Sequence, residues 1–413
     1  MVTLRREAYE QIESQIVNLP GLSAVESNLD LAPTREFARA LLGSVSAVTK
    51  EDIDKNPGKY TADDRIGHGG LQGAFDDRLR GKPGQAVVVS RGGEAGKPVE
   101  VFRTDPAPGE SIRTTLDQRV QNAADAALRG IPTVSALVAV RLSDGAVVAA
   151  ANGPDGGSFN AAFEAKVPPG STFKMVSALG VLDRGEVRAD SIVDCPARFA
   201  AGGREFRNSK GFSLGAVPFH VDFAESCNTA FAALAPQLGP DGLAQAGRSI
   251  GLEADFGLGL DAFSGKISTG GSEAERAAAA FGQGTTVVSP LAMASATAAV
   301  ASGQWRQPTL VVEPAPAKPA VTGPQLRPDS VRPLREMMRE VVTDGTATAL
   351  QDVPGGPVSG KTGTAEFDNN PQNAHAWWIG WQGDLAFAVF VEKGGQSSTG
   401  SVPVAERFLR ALR

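Results

Sequence analysis

Residues 168–174 read Pro-Pro-Gly-Ser-Thr-Phe-Lys, the only place in this chain of 413 residues where a lysine follows a serine by three positions. The Pro-Pro-Gly segment is typical of a helix start, and the apolar residues after it are spaced as in a buried helix that ends near Gly185. Residues i and i+3 share a helix face, so Ser171 and Lys174 are expected to be neighbours. A lysine whose pKa is lowered by burial can take the proton of a serine hydroxyl. The stretch therefore predicts an activated serine nucleophile.

Two further short motifs follow in chain order. They are Ser226-Cys227-Asn228 and Lys361-Thr362-Gly363-Thr364. Each is weak by itself, as a second Ser-x-Asn pattern at Ser158 shows. The three motifs in this order are much more specific than any one of them.

The amino-acid composition excludes some classes of protein and of binding partner. With 42% hydrophobic and 21% charged residues, the chain is long enough for two globular domains or one large one. A net charge of −6 gives no basic surface for nucleic acid, which we therefore exclude as a partner. We find no apolar stretch long enough to cross a membrane and no signal-peptide core, so we expect either a cytoplasmic protein or one whose anchor is missing from this sequence.

The two cysteines leave three readings open. Cys195 and Cys227 could form a disulfide, could be two inert buried thiols, or could include a reactive thiol. The first is favoured if the protein works in an oxidising compartment, and it would join Cys195 to the middle motif.

The pattern before residue 106 differs from the pattern after it. Residues 1–105 alternate charged helical stretches, expected at 3–15 and 34–42, with glycine-rich turns and strands near 86–90 and 98–102. They contain no catalytic constellation, so we expect a mixed α/β pedestal or partner-binding domain. A Pro-rich linker at 106–109 opens the second domain, residues 106–413.

The second domain is predicted to be α+β. A capping box at Thr115 should open a helix that stops at Gly130, and a hairpin should follow at 136–150. The middle is mainly helical, with one helix expected from 223 to 238 that carries or adjoins the second motif and others at 291–301 and 331–342. Strands are expected at 358–366, 377–381 and 385–391, and a last helix at 402–412. Strands at both ends with helices between them imply one sheet built from the two ends of the domain.

At these motifs the sequence resembles a class B penicillin-binding protein, the monofunctional D,D-transpeptidase type. The likeness covers roughly residues 106–413 and includes Phe281-Gly282-Gln283-Gly284 and Gly345-Thr346-Ala347. It implies an antiparallel sheet covered by helices, with an all-helical subdomain. No glycosyltransferase-like segment is present.

The resemblance implies acyl transfer on cell-wall stem peptides, with acylation by β-lactams in the same geometry. Its nucleophile would be Ser171 and its base Lys174, with Ser226 relaying a proton and Asn228 binding Lys174 and the substrate amide. The residues implied for substrate binding are Lys361, Thr362, Gly363 and Thr364, with an oxyanion hole from the N–H groups of Ser171 and Thr364. It implies no cofactor and no metal. It also implies a single-pass anchor, a place on the extracellular face of the cytoplasmic membrane, and a membrane glycan polymerase as a possible partner.

Three alternatives remain open: a D,D-carboxypeptidase or related peptide cyclase, a β-lactamase, and a non-catalytic β-lactam sensor or scaffold. A β-lactamase needs a base for hydrolysis, and we find no Glu-x-x-Leu-Asn between the second and third motifs. A histidine mechanism is disfavoured because His68, His220 and His375 are scattered. We interpret Gln283 as a loop amide. Core or groove-wall positions are assigned to Trp377, Trp378 and Trp381.

Overall fold

The computed structural model describes residues 4–26, 31–89, 99–367 and 373–413. The chain forms two compact units, Met1–Arg35 and Glu36–Arg413. In the first unit, two short helices, α1 (Arg6–Glu10) and α2 (Glu13–Ile16), stand where one longer helix was expected. Neither helix buries a residue, so packing does not extend them, and short unsupported helices are only marginally stable.

The second unit begins with short elements. These are α3 (Arg39–Leu42), β1 (Ser44–Ala47), α4 (Lys50–Lys55), β2 (Arg65–His68), α5 (Gly70–Ala74), α6 (Asp76–Leu79), β3 (Gln85–Val89) and β4 (Val99–Thr104). Strand β1 pairs with β2 and β3 pairs with β4, both antiparallel. The helix expected at 34–42 shrinks to α3, because Ala38 has a φ of 44° and is not right-handed helical. The glycine-rich turn expected between the strands near 86–90 and 98–102 lies outside the described residues.

The remaining elements carry the three motifs. The helices are α7 (Gln118–Ala127), α8 (Ala161–Glu164), α9 (Lys174–Arg184), α10 (Phe219–Ala224), α11 (Asn228–Leu238), α12 (Gly242–Ser249), α13 (Glu273–Ala279), α14 (Pro290–Ser302), α15 (Pro328–Thr343) and α16 (Val402–Ala411). The strands are β5 (Arg113–Thr114), β6 (Ser135–Arg141), β7 (Val147–Asn152), β8 (Ile192–Cys195), β9 (Arg198–Ala201), β10 (Arg204–Arg207), β11 (Gly215–Pro218), β12 (Gln304–Arg306), β13 (Val311–Glu313), β14 (Thr322–Gln325), β15 (Val358–Glu366), β16 (Ala374–Gln382) and β17 (Leu385–Val391).

Five of these strands form one antiparallel sheet in the order β15-β16-β17-β6-β7. Strand β17 pairs with β6 so that Leu385 lies opposite Arg141. Strands β15, β16 and β17 therefore extend the sheet that begins with the hairpin β6–β7. This confirms the predicted α+β sheet built from both ends of the domain. The mainly helical middle also contains two small two-stranded sheets, β8 with β11 and β9 with β10, that the sequence pattern did not predict. Each of those strands has only four residues, too few for a period-two pattern to be distinctive.

Both faces of the large sheet are buried. Trp378 and Phe387 lie on one face, where Phe387 contacts Phe408 of α16. Trp377 points to the opposite face, and its Nε1 donates a hydrogen bond to the carbonyl of Pro168, just before the first motif. Helix α14 is buried on all sides from Pro290 to Val300, as expected of a helix that is apolar all round. Trp377 and Trp378 thus belong to the core, whereas Trp381 is only partly buried against it, and Trp377 contacts the turn that precedes Ser171.

The first long helix of the second unit starts two residues later than the capping pattern indicated. Asp117, not Thr115, caps α7: its side chain accepts the N–H of Val120. The hydroxyl of Thr115 donates to the carbonyls of Val147 and Thr309 instead. A long-range contact therefore replaced a local cap.

Among the described helices, none combines the length and the apolar character needed to cross a lipid bilayer.

Candidate active site

The first motif forms a tight turn that runs into a helix. Residues Gly170–Phe173 make one 3₁₀ turn and Lys174 begins α9, which ends at Gly185 with a left-handed φ of 75°. Gly170 has a φ of 52°, and a Cβ atom there would lie 2.6 Å from the carbonyl oxygen of Thr364. Only glycine therefore lets the nucleophile turn lie this close to β15.

The amine of Lys174 links the first and second motifs. Its side chain is fully buried, and Nζ lies 3.1 Å from Ser171 Oγ. Nζ also lies 3.1 Å from Ser226 Oγ, 2.8 Å from the Ser226 carbonyl and 2.7 Å from Asn228 Oδ1. The structure thus brings together all four residues predicted to be catalytic, and one amine contacts each of the other three.

Burial decides the protonation state of this amine. Desolvation holds the pKa of Lys174 well below its usual range, and the nearby Lys361 lowers it further. The carboxyl of Asp222 opposes this shift, because a negative charge favours the ammonium form. A neutral amine has a lone pair that can accept the Ser171 proton, so the geometry suits a lysine acting as general base.

The second motif lies in a break between two helices. Helix α10 ends at Ala224 and α11 begins at Asn228, so the helix expected from 223 to 238 is interrupted at 225–227 but ends at Leu238 as predicted. The helical pattern is interrupted because Ser226 has a φ of 63°, which a non-glycine residue rarely adopts. The break turns both the hydroxyl and the carbonyl of Ser226 towards Lys174.

Cys227 forms a disulfide with Cys195, the last residue of β8. Both half-cystines are fully buried, and the Cys227 sulfur also accepts the N–H of Ala230 in the first turn of α11. The sequence left three alternatives open for the two cysteines, and the structure supports the disulfide. It ties the middle motif to a strand that is distant along the chain.

The third motif lies on the edge strand of the sheet. Lys361 is fully buried beside Phe223, with Nζ 5.7 Å from the ring centroid. Burial lowers the pKa of Lys361 to about 7. A Cβ on Gly363 would lie 2.9 Å from the backbone nitrogen of Thr172, so this glycine lets β15 approach the turn that carries Ser171.

The threonines of this motif alternate with Lys361 along the strand. The Thr362 hydroxyl lies 2.6 Å from the hydroxyl of Thr346, and Thr364 Oγ1 accepts the N–H of Ser397 at 3.3 Å. By strand alternation both threonines point to the face opposite Lys361. Lys361, Gly363 and Thr364 thus lie close to the first motif, and the side chains of the third motif project from two sides of β15.

Sequence reasoning gave no role to two polar residues beside the site. Asp222 is fully buried, neither of its carboxylate oxygens has a hydrogen-bond partner, and one oxygen lies within 4.8 Å of both disulfide sulfurs. Burial raises its pKa to about 7, and Asp194 adds to this shift. Thr346 belongs to a segment that carries the family resemblance, and its hydroxyl contacts that of Thr362. No local pattern marks either residue, because the groups around each of them lie on other elements.

The histidines lie in other hydrogen-bond networks. His68 bridges Ser46 and Asp52, and His220 contacts Glu340. The ring of His375 contacts the carbonyl of Glu392. Gln283 lies in the loop after α13, where its backbone N–H donates to Ala278.

The comparisons with known proteins agree with this geometry. The model for the penicillin-binding protein transpeptidase domain matches residues 135–412, and the model for the penicillin-binding protein dimerisation domain matches residues 2–114. Penicillin-binding protein 3 of Bacillus subtilis (strain 168) is 24% identical over 96% of this chain and 64% of its own length. The peptidoglycan D,D-transpeptidase MrdA of Acinetobacter baumannii is 26% identical over 89% of this chain, and again 64% of its own length. The chain thus spans slightly less than two thirds of each of these relatives.

Among solved structures, a chain of a peptidoglycan synthase complex that coordinates polymerization and crosslinking superposes with a TM-score of 0.77. It is 25% identical, over 90% of this chain and 74% of that one. The transpeptidase model covers well over half of the sequence and includes all three motifs. The chain therefore belongs to the penicillin-binding proteins, and its relatives place it among those of class B.

Proposed function

We propose that the chain is a serine D,D-transpeptidase that cross-links peptidoglycan stem peptides through an acyl-Ser171 intermediate. The observation that carries the proposal is the buried Lys174 amine, 3.1 Å from the Ser171 hydroxyl and with its pKa well below the usual range. A serine in this setting can attack a carbonyl at neutral pH. The relative named as a peptidoglycan D,D-transpeptidase supports the choice of substrate.

Acylation begins when Ser171 Oγ attacks the carbonyl carbon between two D-alanines. Lys174 takes the hydroxyl proton, and the Ser226 hydroxyl, 3.1 Å from the same amine, passes a proton to the departing amino group. The C–N bond breaks, the terminal D-alanine leaves, and the rest of the peptide stays on Ser171 as an ester. An amine of a second stem peptide then attacks the ester, forms the new peptide bond and returns Ser171 to its hydroxyl form.

Substrate binding is assigned to the third motif. The Thr362 and Thr364 hydroxyls, which share one face of β15, offer two donors to the terminal carboxylate, and a protonated Lys361 on the other face of the strand adds a positive charge. The backbone N–H groups of Ser171 and Thr364 form the proposed oxyanion hole. Their approach is supported by the close contact of Gly170 with the Thr364 carbonyl. Removing one oxyanion donor typically costs about 10²–10³ in rate.

The domain assignment is also a proposal. We assign catalysis to residues 106–413 and a pedestal role to residues 1–105. Strand β5 supports a boundary before residue 113, since it pairs with β13 of the later part of the chain.

We also propose that the enzyme acts on the extracellular face of the cytoplasmic membrane, held there by a single-pass anchor and beside a membrane glycan polymerase. The disulfide supports an oxidising compartment. The structural relative belongs to a complex that coordinates polymerization and crosslinking, which supports a polymerase as partner.

The test is intact-mass spectrometry after incubation with benzylpenicillin, followed over hours for the native chain and for Ser171→Ala. We expect an adduct of one drug mass on the native chain only, and we expect it to persist. Hydrolysis of the drug without a lasting adduct would favour a β-lactamase. A native chain that shows neither adduct nor hydrolysis would contradict the proposal. Release of D-alanine from a model stem peptide, with and without an acceptor amine, separates transpeptidase from carboxypeptidase.

A further inference from the structure

Asn208 follows directly after β10 and is 1% exposed. Its Oδ1 accepts hydrogen bonds from the backbone N–H groups of Asn228 at 2.8 Å and Thr229 at 3.1 Å. Its Nδ2 donates to the carbonyls of Phe212 at 2.9 Å and Pro196 at 3.1 Å. Two N–H groups on one side and two carbonyls on the other allow only one orientation of the amide. This side chain is therefore fixed by four backbone groups.

The two N–H groups that Asn208 binds begin α11. The first N–H groups of a helix have no partner within the helix and need acceptors from elsewhere. Cys227 supplies one such acceptor, to Ala230, and Asn208 supplies the acceptor for the two residues before it. The start of α11 is thus capped by a residue from a different part of the chain.

The same segment also holds the side chain of Asn228. Asn228 Nδ2 donates to the carbonyl of Arg207, the residue before Asn208, at 3.2 Å. This contact leaves Asn228 Oδ1 facing Lys174 Nζ at 2.7 Å. Because Ser226 has an unfavourable positive φ, the loop before Asn228 needs outside contacts to hold its conformation. Asn208 provides two of them.

We infer that Asn208 is a positioning residue for acylation, acting on Lys174 through Asn228 and the start of α11. The inference rests on the proposed function and adds to it a residue that contacts neither substrate nor reacting atoms. Without Asn208, the N–H groups of Asn228 and Thr229 and the carbonyl of Phe212 lose this partner, and Asn228 is no longer held where its amide oxygen meets the Lys174 amine. A displacement of this kind slows chemistry more than it weakens drug binding.

The test compares Asn208→Ala with a matched control, Asn152→Ala. Asn152 is also a buried asparagine of the second unit, with its Nδ2 donating to Asn160 and its Oδ1 accepting the N–H of Ala162. Acylation by a chromogenic cephalosporin is followed by stopped flow across a pH series, at a temperature where circular dichroism shows each variant folded. The binding constant Ks and the acylation rate constant k2 are fitted separately.

We expect Asn208→Ala to lower k2 by about 10²-fold, the usual cost of a misplaced catalytic group, with little change in Ks. The acid limb of its k2 profile should also shift, because the Lys174 amine loses an acceptor, Asn228 Oδ1, that is held in place. Asn152→Ala should lose stability but keep the native k2 and profile. If Asn208→Ala does not fold, Asn208→Ser, which keeps an acceptor oxygen, replaces it with the same expected direction.

Two results would overturn the inference. In the first, the Asn208 variants keep the native k2 and pH profile. In the second, the Asn152 control loses as much k2 as they do, which would make the effect one of general destabilisation. An acylated native enzyme in either case leaves the proposed function intact. A native enzyme that is not acylated at all would overturn both.

Discussion

The pH dependence of drug binding gives the sharpest test of the role proposed for Lys361. Burial lowers the pKa of this lysine to about 7, whereas a carboxylate ligand needs its ammonium form. The ammonium fraction falls from about 90% at pH 6 to about 10% at pH 8 when the pKa is about 7. Binding of a carboxylate should therefore weaken about tenfold across this interval.

The assay is stopped-flow acylation from pH 6 to pH 9, with Ks and k2 fitted at each pH. Ks should rise with pH as Lys361 loses its proton. In contrast, k2 should fall at the acid end, where Lys174 becomes protonated and can no longer accept the Ser171 proton. Loss of the Lys361 proton thus raises Ks at high pH, whereas protonation of Lys174 lowers k2 at low pH.

Two controls decide the assignment. The methyl ester of the same drug has no carboxylate, so its Ks should not change with pH. Lys361→Arg, which stays charged throughout the range, should remove the rise in Ks if the variant folds. A Ks for the free acid that is constant from pH 6 to pH 9, or an ester that shows the same rise, would refute the role of Lys361.

Three further predictions concern stability and the third motif. Replacing both Cys195 and Cys227 by alanine removes a crosslink between residues 32 apart. The loop-entropy relation predicts that the unfolding free energy, measured by urea titration, falls by about 3–4 kcal/mol. An unchanged urea midpoint would contradict this prediction. Thr346→Val removes the hydroxyl that contacts Thr362 and should slow acylation about tenfold. Thr346→Ser keeps a hydroxyl and should leave the acylation rate unchanged. Equal acylation rates for the two variants would show that the contact has no role. The raised pKa of Asp222 stabilises the fold at low pH, and this stabilisation is lost as the pH rises through about 7. Between pH 5 and pH 8, the unfolding free energy of Asp222→Asn should therefore rise by about 2 kcal/mol relative to that of the native chain. The same difference at both pH values would refute this prediction.

The parts of the site that depend on local spacing were predictable. Ser171 and Lys174 are three residues apart at the start of a helix, so helix geometry alone makes them neighbours. Strand β15 was expected from 358 to 366 and has those bounds, because its residues are buried and it is bounded by turn residues on one side.

The parts that depend on distant partners were not predictable. The break before Asn228 was missed because apolar residues continue at helical spacing on both sides of it, and only the positive φ of Ser226 interrupts them. Asn208 could not be found because its four partners come from three separate segments of the chain. Asp117 caps α7 because the hydroxyl of Thr115 donates to the distant carbonyls of Val147 and Thr309 instead.

The order of strands in the large sheet has a consequence for how the protein reaches its active form. Strand β17 joins β6, so the residue opposite Arg141 is Leu385, close to the end of the sequence. Contacts between residues so far apart form slowly, because a long loop must close before they can contribute. During synthesis, the edge of β6 that faces away from β7 has no neighbour until the last strands emerge. We therefore expect a nascent chain that lacks β17 to be unable to bind a fluorescent penicillin, even though Ser171 and Lys174 have already been made.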